Sequence, residues 1–195
     1  MRDRKDPFYR LAREQSYRSR AAFKLLELQD KFSLISPGDV VLDLGASPGG
    51  WSQVAHQLSG KTVVSVDRNP VPEEEWNRYL RADITDPGFP EKLSAVATEL
   101  GIARFNCIIS DAMVHTSGNP GRDHASSFVL CEGIMKVVLR FLKNGGNAVI
   151  KQFYGDMTKE FMQNWSRKFK FSKVTSVTAT RKGSSEVYIV FKELL

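Results

Sequence analysis

Residues 40–55, VVLDLGASPGGWSQVA, set an aspartate and three glycines directly behind an apolar run. That order suits a strand ending in a sharp turn and opening a helix, with a backbone that can come close to a ligand. Asp67 ends the next apolar run, where a carboxylate can accept hydrogen bonds from both hydroxyls of a ribose. Gly45 is followed by Ala46, Ser47 and Pro48 before Gly49 and Gly50, so the dinucleotide spacing G-x-G-x-x-G is missing, and there is no G-x-x-x-x-G-K-[ST] phosphate loop. An adenosine-bearing cofactor without a pyrophosphate fits better. S-adenosylmethionine is such a molecule, and its charged amino-acid end calls for close backbone and nearby carboxylates. Asp43, Asp83 and Asp111, at or near the ends of the first, third and fourth apolar runs, are expected to form that acidic rim.

A second set of residues could do acid–base chemistry. Asp111 closes CIISD, Lys151 closes AVIK and Glu186 opens EVYIVF. On adjacent parallel strands, ~4.8 Å apart, Asp111 and Lys151 emerge side by side, and an antiparallel last strand would start at that same edge with Glu186. An alcohol attacks a sulfonium methyl well only when its proton is removed. Lys151 could accept that proton in its neutral form, which burial and a second cation, Lys24, would favour and the two carboxylates would oppose. Alternatively, a protonated Lys151 steers the hydroxyl by positioning.

Elements to carry these residues follow from the pattern. Strands are expected at 40–44, 62–67, 78–83, 105–111, 146–151, 171–177 and 186–191, with helices at 50–58, 73–77, 90–100, 123–142 (closed by the glycines of KNGG) and 157–168. Alternation of strands and helices predicts an α/β, Rossmann-like fold: a seven-stranded, mostly parallel sheet with an antiparallel final strand and helices on both faces. Ligands of such sheets sit outside the carboxyl ends of the strands, where the strand order reverses. Tyr17, Ala21, Leu25 and Leu28 recur at helical spacing beside Arg18, Arg20 and Lys24, giving an amphipathic helix that serves either packing or RNA contact.

Composition narrows the class. The 195 residues suit one domain, 1–195, with residues 1–35 as a basic helical extension, and 42% apolar residues allow a sizeable core. No apolar run is long enough for a membrane span and MRDRKDPFYR has no signal-peptide core, so a cytoplasmic protein is expected. Cys107 and Cys131 have no metal or redox spacing and read as reduced core thiols. The net charge of +6 is uneven: residues 1–31 carry nine Lys/Arg against five Asp/Glu, residues 159–195 eight against three, and the middle 11 against 14. Basic ends around an acidic centre suggest attraction of a polyanion.

Together SRAAFKL, DLGASPGGWSQ, the SD at 110–111, VIKQF and SSEVYIV resemble the RrmJ/FtsJ family of ribosomal RNA 2′-O-ribose methyltransferases over nearly the whole chain. The resemblance implies a Lys-Asp-Lys-Glu tetrad at Lys24, Asp111, Lys151 and Glu186, with Lys151 the proton acceptor. It also implies cofactor contacts at Gly49, Trp51, Asp67, Asp83 and Asp111, and no metal. The expected substrate is RNA, a uridine of 23S rRNA within the large ribosomal subunit, and the expected protein is a monomer that binds neither DNA nor membrane. One departure is DAMVHTSGNPGRD, where bacterial members often read Asp-Met-Ala-Pro-Asn; this loop lies on the substrate side. Two alternatives are a tRNA 2′-O-ribose methyltransferase, a branch with longer C-terminal tails, and a non-catalytic RNA-binding ribosome-assembly factor. A nicotinamide oxidoreductase is disfavoured by the loop spacing.

Overall fold

The computed structural model describes residues 6–181 and 183–195, so the start of the expected N-terminal extension and Lys182 lie outside the described residues. The apolar runs become β1 (Val41–Leu44), β2 (Val63–Asp67), β3 (Asn77–Arg81), β4 (Phe105–Ser110), β5 (Leu142–Phe153), β6 (Phe169–Thr175) and β7 (Glu186–Leu194) of one sheet. Their order is β3-β2-β1-β4-β5-β7-β6. The first four pairings are parallel, and β7 is antiparallel to both β5 and β6. The order therefore reverses between β1 and β4, and the last strand runs against the others, as its short connection requires.

Helices α1 (Pro7–Glu14), α2 (Ala22–Phe32), α3 (Gly50–Ser59), α4 (Phe89–Glu99), α5 (Pro120–Phe141) and α6 (Thr158–Trp165) cover the sheet. Alternate strand residues feed opposite faces. Val41, Val63 and Val149 pack with Leu25 and Leu28 of α2 and Val54 of α3. Leu42, Val64 and Ile150 pack with Leu93 of α4, Ile134 and Val138 of α5 and Phe161 of α6. Burial on both faces explains why the central strands are nearly all apolar. Cys107 and Cys131 are buried free thiols within these clusters.

Three expected elements differ. No helix forms at 73–77; an isolated antiparallel bridge joins Glu74 to Asn77 there, with the Asn77 N–H donating to the Glu74 carbonyl at 2.9 Å, so the segment is a tight turn into β3. Helix α2 begins at Ala22 instead of near Tyr17, because the preceding turn docks on α3: the Arg18 N–H donates to Gln53 Oε1 at 3.1 Å. Finally, Lys143 to Gly146 do not cap α5. The helix ends at Phe141 and runs into β5 at Leu142 with no loop, and the glycines lie where the β4–β5 register shifts.

At the reversal point β1 and β4 approach closely. Gly45 has φ +79°, and a Cβ there would sit 2.5 Å from both Cα and Cβ of Ala112. Gly45→Ala is expected to cost about 2–4 kcal/mol, from left-handed backbone strain plus overpacking against main chain. Denaturant unfolding measures this, and a loss below roughly 0.5 kcal/mol is incompatible with so close a contact.

Candidate active site

Four charged side chains from α2, β5, β7 and the residue after β4 meet beyond the carboxyl ends of β4 and β5. Lys24 Nζ donates to Glu186 Oε2 at 2.9 Å and lies 3.9 Å from Asp111 Oδ1. Lys151 Nζ lies 3.3 Å from that same Asp111 oxygen and donates to the Asp111 carbonyl at 2.7 Å. Lys24 and Lys151 are only 8% and 4% exposed, so each cation depends on these anions for its stability.

Each position has a local cause. Lys24 sits in the first turn of α2, held against the sheet by Ala22, Leu25 and Leu28. Asp111 directly follows β4, and the β4–β5 register sets Ser110 opposite Ile150, so Asp111 and Lys151 leave their strands together. The antiparallel register sets Lys151 opposite Tyr188 and Phe153 opposite Glu186. Glu186 thus arrives at the rim because β7 starts there.

Tyr188 is a member of the cluster that motif reasoning missed. Its hydroxyl donates to Asp111 Oδ1 at 2.9 Å, and Lys24 Nζ lies 5.6 Å from its ring centroid. Burial first, then the Asp111 charge, hold its phenol far above the usual range, so it remains a donor. Period-two alternation from Glu186 was the available signal; the pairing with Lys151 was not visible without the register.

Beside the cluster opens a cleft of about 640 Å³ over the reversal point, whose walls include Gly45, Asp67, Asp83, Asp111, Met113 and Lys151. Asp67 accepts from the Ser47 N–H at 3.0 Å and the Asn69 N–H at 2.7 Å, which fixes its carboxylate at the cleft wall. Asp83 lies just past β3. The Thr85 hydroxyl at 2.6 Å, then the Thr85 N–H, hold it below the usual carboxylate range, with Arg68 near its second oxygen.

Two expected cofactor contacts are placed differently. Gly49 is the N-cap of α3 at φ +99°, and its missing side chain would point at Arg18 and Val71. The Trp51 indole is 2% exposed, lies 5.8 Å from the Tyr188 ring and donates to the Ala21 carbonyl at 2.7 Å, so it ties α3 to the start of α2 behind Lys24. The Gly49 N–H already donates to the Ala46 carbonyl at 2.6 Å, so what this turn can offer a ligand is the main-chain N–H of Trp51 at the helix start, where such groups have no partner within the helix.

The expected rim position of Asp43 is corrected. Asp43 is completely buried within β1; Oδ2 accepts from Ser52 Oγ at 2.6 Å, that hydroxyl lies 2.7 Å from Ser65 Oγ, and Oδ1 has no hydrogen-bond partner. A strand interior between two helical layers leaves no route to water. Burial pushes its carboxyl up to about 7, opposed by the Ser52 hydrogen bond and reinforced by the charges of Asp111 and Asp67.

This sheet order, reversed last strand and cleft define a Rossmann-like methyltransferase. The structure aligns with the crystal structure of a Plasmodium falciparum protein described as a ribosomal RNA methyltransferase, with a TM-score of 0.83 and 25% identity over 92% of this chain and 99% of that one. The chain belongs to the FtsJ-like methyltransferase family, whose pattern it matches over residues 17–194. It is 40% identical over 97% of both chains to the Ribosomal RNA large subunit methyltransferase E of Picrophilus torridus. It is 42% identical to the protein of the same name from Archaeoglobus fulgidus, over 98% of this chain and 97% of that one.

The buried Asp43 generates a pH prediction. Its folded pKa of about 7 lies above an ordinary value of 3.8, so the folded state keeps a proton that the unfolded chain releases. That contribution is complete below pH ~4 and is lost as pH rises to ~7, on the order of 4 kcal/mol in all. Chemical denaturation of wild type and Asp43→Asn across this window should show the wild type losing stability with rising pH relative to the variant. Parallel pH profiles for the two proteins would contradict the buried, proton-holding carboxyl.

Proposed function

We propose that this protein transfers a methyl group from S-adenosylmethionine to a ribose 2′-hydroxyl of RNA, a uridine of 23S large-subunit rRNA. The observation that carries the reading is the position of Lys151, whose side chain both borders the cleft and meets Asp111. One amine thus touches the cofactor side and the ionic cluster. The names of the relatives and their match over nearly the whole chain support an rRNA substrate. Exposed Arg10 and Arg13 of α1 and Lys170 and Lys173 of β6 support a cationic surface for a polyanion.

The cleft suits the cofactor. Gly45 keeps the main chain clear of a side chain where β1 meets Ala112, Asp67 is oriented for a ribose diol, and Asp83 and Asp111 can receive a cationic amino acid and adenosine hydroxyls or amines. Gly49 would shape the turn through its left-handed backbone, and Trp51 would contribute its backbone N–H to the cofactor's carboxylate. When bound, S-adenosylmethionine supplies an electrophilic methyl group on a sulfonium.

The chain's own residues prepare the nucleophile. In its neutral form Lys151 accepts the 2′-hydroxyl proton as the oxygen attacks in line, and the product leaves Lys151 protonated beside Asp111. Asp111 then holds that cation, and Tyr188 holds Asp111. Lys24, bound to Glu186, shares the same Asp111 oxygen with Lys151 and so fixes where the amine sits. Residues 1–195 act as a single catalytic domain in which the N-terminal helices deliver Lys24 and grip RNA phosphates.

Lys151→Ala should lower turnover on undermethylated large-subunit rRNA by about 10²–10⁴-fold while S-adenosylmethionine affinity stays within about threefold. Calorimetry and mass spectrometry of ribose methylation give the two numbers. Equal methylation by wild type and Lys151→Ala would falsify the role of the amine. Mapping marks in cells with and without the gene checks the substrate, and a mark lost only from tRNA replaces rRNA by tRNA.

A further inference from the structure

The rim beyond β5 carries an aromatic side chain that the reaction as described does not use. Tyr154 is the first residue past β5, three residues after Lys151, and is 61% exposed. Among the described residues the ring has no aromatic contact and its hydroxyl no hydrogen bond. A single exposed aromatic on a flexible loop carries no meaning. The backbone here is not free.

It is pinned on both sides. The Tyr154 N–H donates to the Ser185 carbonyl at 2.8 Å, tying it to the residue before Glu186. The Gly155 N–H donates to Thr158 Oγ1 at 3.1 Å. His124, buried at the start of α5, accepts from the Met157 N–H through Nε2 at 3.0 Å, which leaves the ring proton on Nδ1 to donate to the Phe153 carbonyl at 2.7 Å. Gly155 lies flat on that imidazole: a Cβ would be 2.5 Å from His124 Cδ2. A buried histidine thus braces residues 153–157, and the braced segment holds an unpartnered ring out into solvent. In the loop after β4, Met113, two residues past Asp111 and 53% exposed, lines the cleft. Met113 and Tyr154 thus follow Asp111 and Lys151, two and three residues later, at the end of the sheet where the parallel strands β4 and β5 both finish.

We infer that Tyr154 is a stacking platform for the base of the nucleotide being methylated, holding it unstacked from its RNA neighbours with its ribose over Lys151. This rests on the reading of the site as a 2′-O-ribose methyltransferase. The chemistry sets the scale: a 2′-hydroxyl and its base hang from adjacent carbons of one sugar, and Tyr154 stands three strand residues, about 10 Å, from Lys151. Phosphate contacts fix the strand without drawing a single nucleotide out, whereas an aromatic face takes any base. The ring supplies grip, and base identity is read elsewhere.

The test uses the full chain with Tyr154→Ala, Tyr154→Phe and Tyr154→Trp, undermethylated large-subunit rRNA as substrate and a short single-stranded oligouridylate as binding probe. Tyr154→Ala should raise the KM for rRNA about 10- to 100-fold and weaken oligouridylate binding similarly, with S-adenosylmethionine affinity and thermal unfolding unchanged. Tyr154→Phe and Tyr154→Trp should stay within about threefold of wild type, and oligouridylate should quench the indole of Tyr154→Trp beyond any quenching in wild type. The platform is overturned by an unchanged KM in Tyr154→Ala, by Phe failing as badly as Ala, or by no added quenching in the Trp variant. Lys151→Ala in the same assays separates the two claims: it should lose turnover and keep RNA affinity. If it keeps turnover, the proposed chemistry falls while the quenching result still decides the role of Tyr154.

Discussion

Two lysines reach for one carboxylate oxygen in a place that water barely enters. Asp111 Oδ1 lies 3.3 Å from Lys151 Nζ and 3.9 Å from Lys24 Nζ, and also accepts from Tyr188 at 2.9 Å. An unpaired charge at such depth costs several kcal/mol, so the second cation needs its own anion, and Glu186 is that anion. Much of the architecture follows. A parallel last strand would bring its far end to this rim, and only a reversed β7 delivers its first residue beside Lys151. Helix α2 must lie against the same face to bring Lys24, and Trp51 anchors its start by accepting no freedom of its own: the indole is buried and bonded to Ala21.

The other half of the molecule holds the cleft in shape. Asp43, Ser52 and Ser65 form a hydrogen-bonded chain beneath it, which Ser65 extends to Asn77 at the start of β3. Polar groups buried in this way fix relative positions more strictly than apolar packing does, since a shift leaves one of them unsatisfied. The chain joins β1, α3, β2 and β3, the elements that carry the glycine turn, Asp67 and the segment leading to Asp83.

Sequence patterns made the sheet readable because its strands are buried on both faces and therefore nearly uniform in character. The same patterns misread three places where context overrode local preference. KNGG reads as a helix stop, yet the chain bends straight into β5; EEEWN reads as a helix, yet it closes as a tight turn from Glu74 to Asn77 that leads into β3. Asp43 reads as a strand-end carboxylate, but the strand continues to Leu44 and closes over it. In the site, residue type and strand direction sufficed to gather Asp111, Lys151 and Glu186. Lys24 was reachable through the resemblance and as a possible second cation, but not from its own helix, since nothing there says against which strand it packs. Tyr188 required the antiparallel register, and the buried side of Trp51 required the packing of α2 on α3.

With both lysines protonated, as they stand once the proton has moved, the ionic quartet contains two positive and two negative side chains, and its charges sum to zero. A balanced cluster has a field that dies away within a few ångströms, whereas the excess of Lys and Arg toward both ends of the sequence acts over a Debye length, ~10 Å at 0.1 M salt. Docking of a polyanion and movement of one proton are consequently governed by separate sets of charges. Ionic strength can weaken the first while leaving the second untouched, and substitutions on the outer surface can tune capture without detuning the amine at the centre.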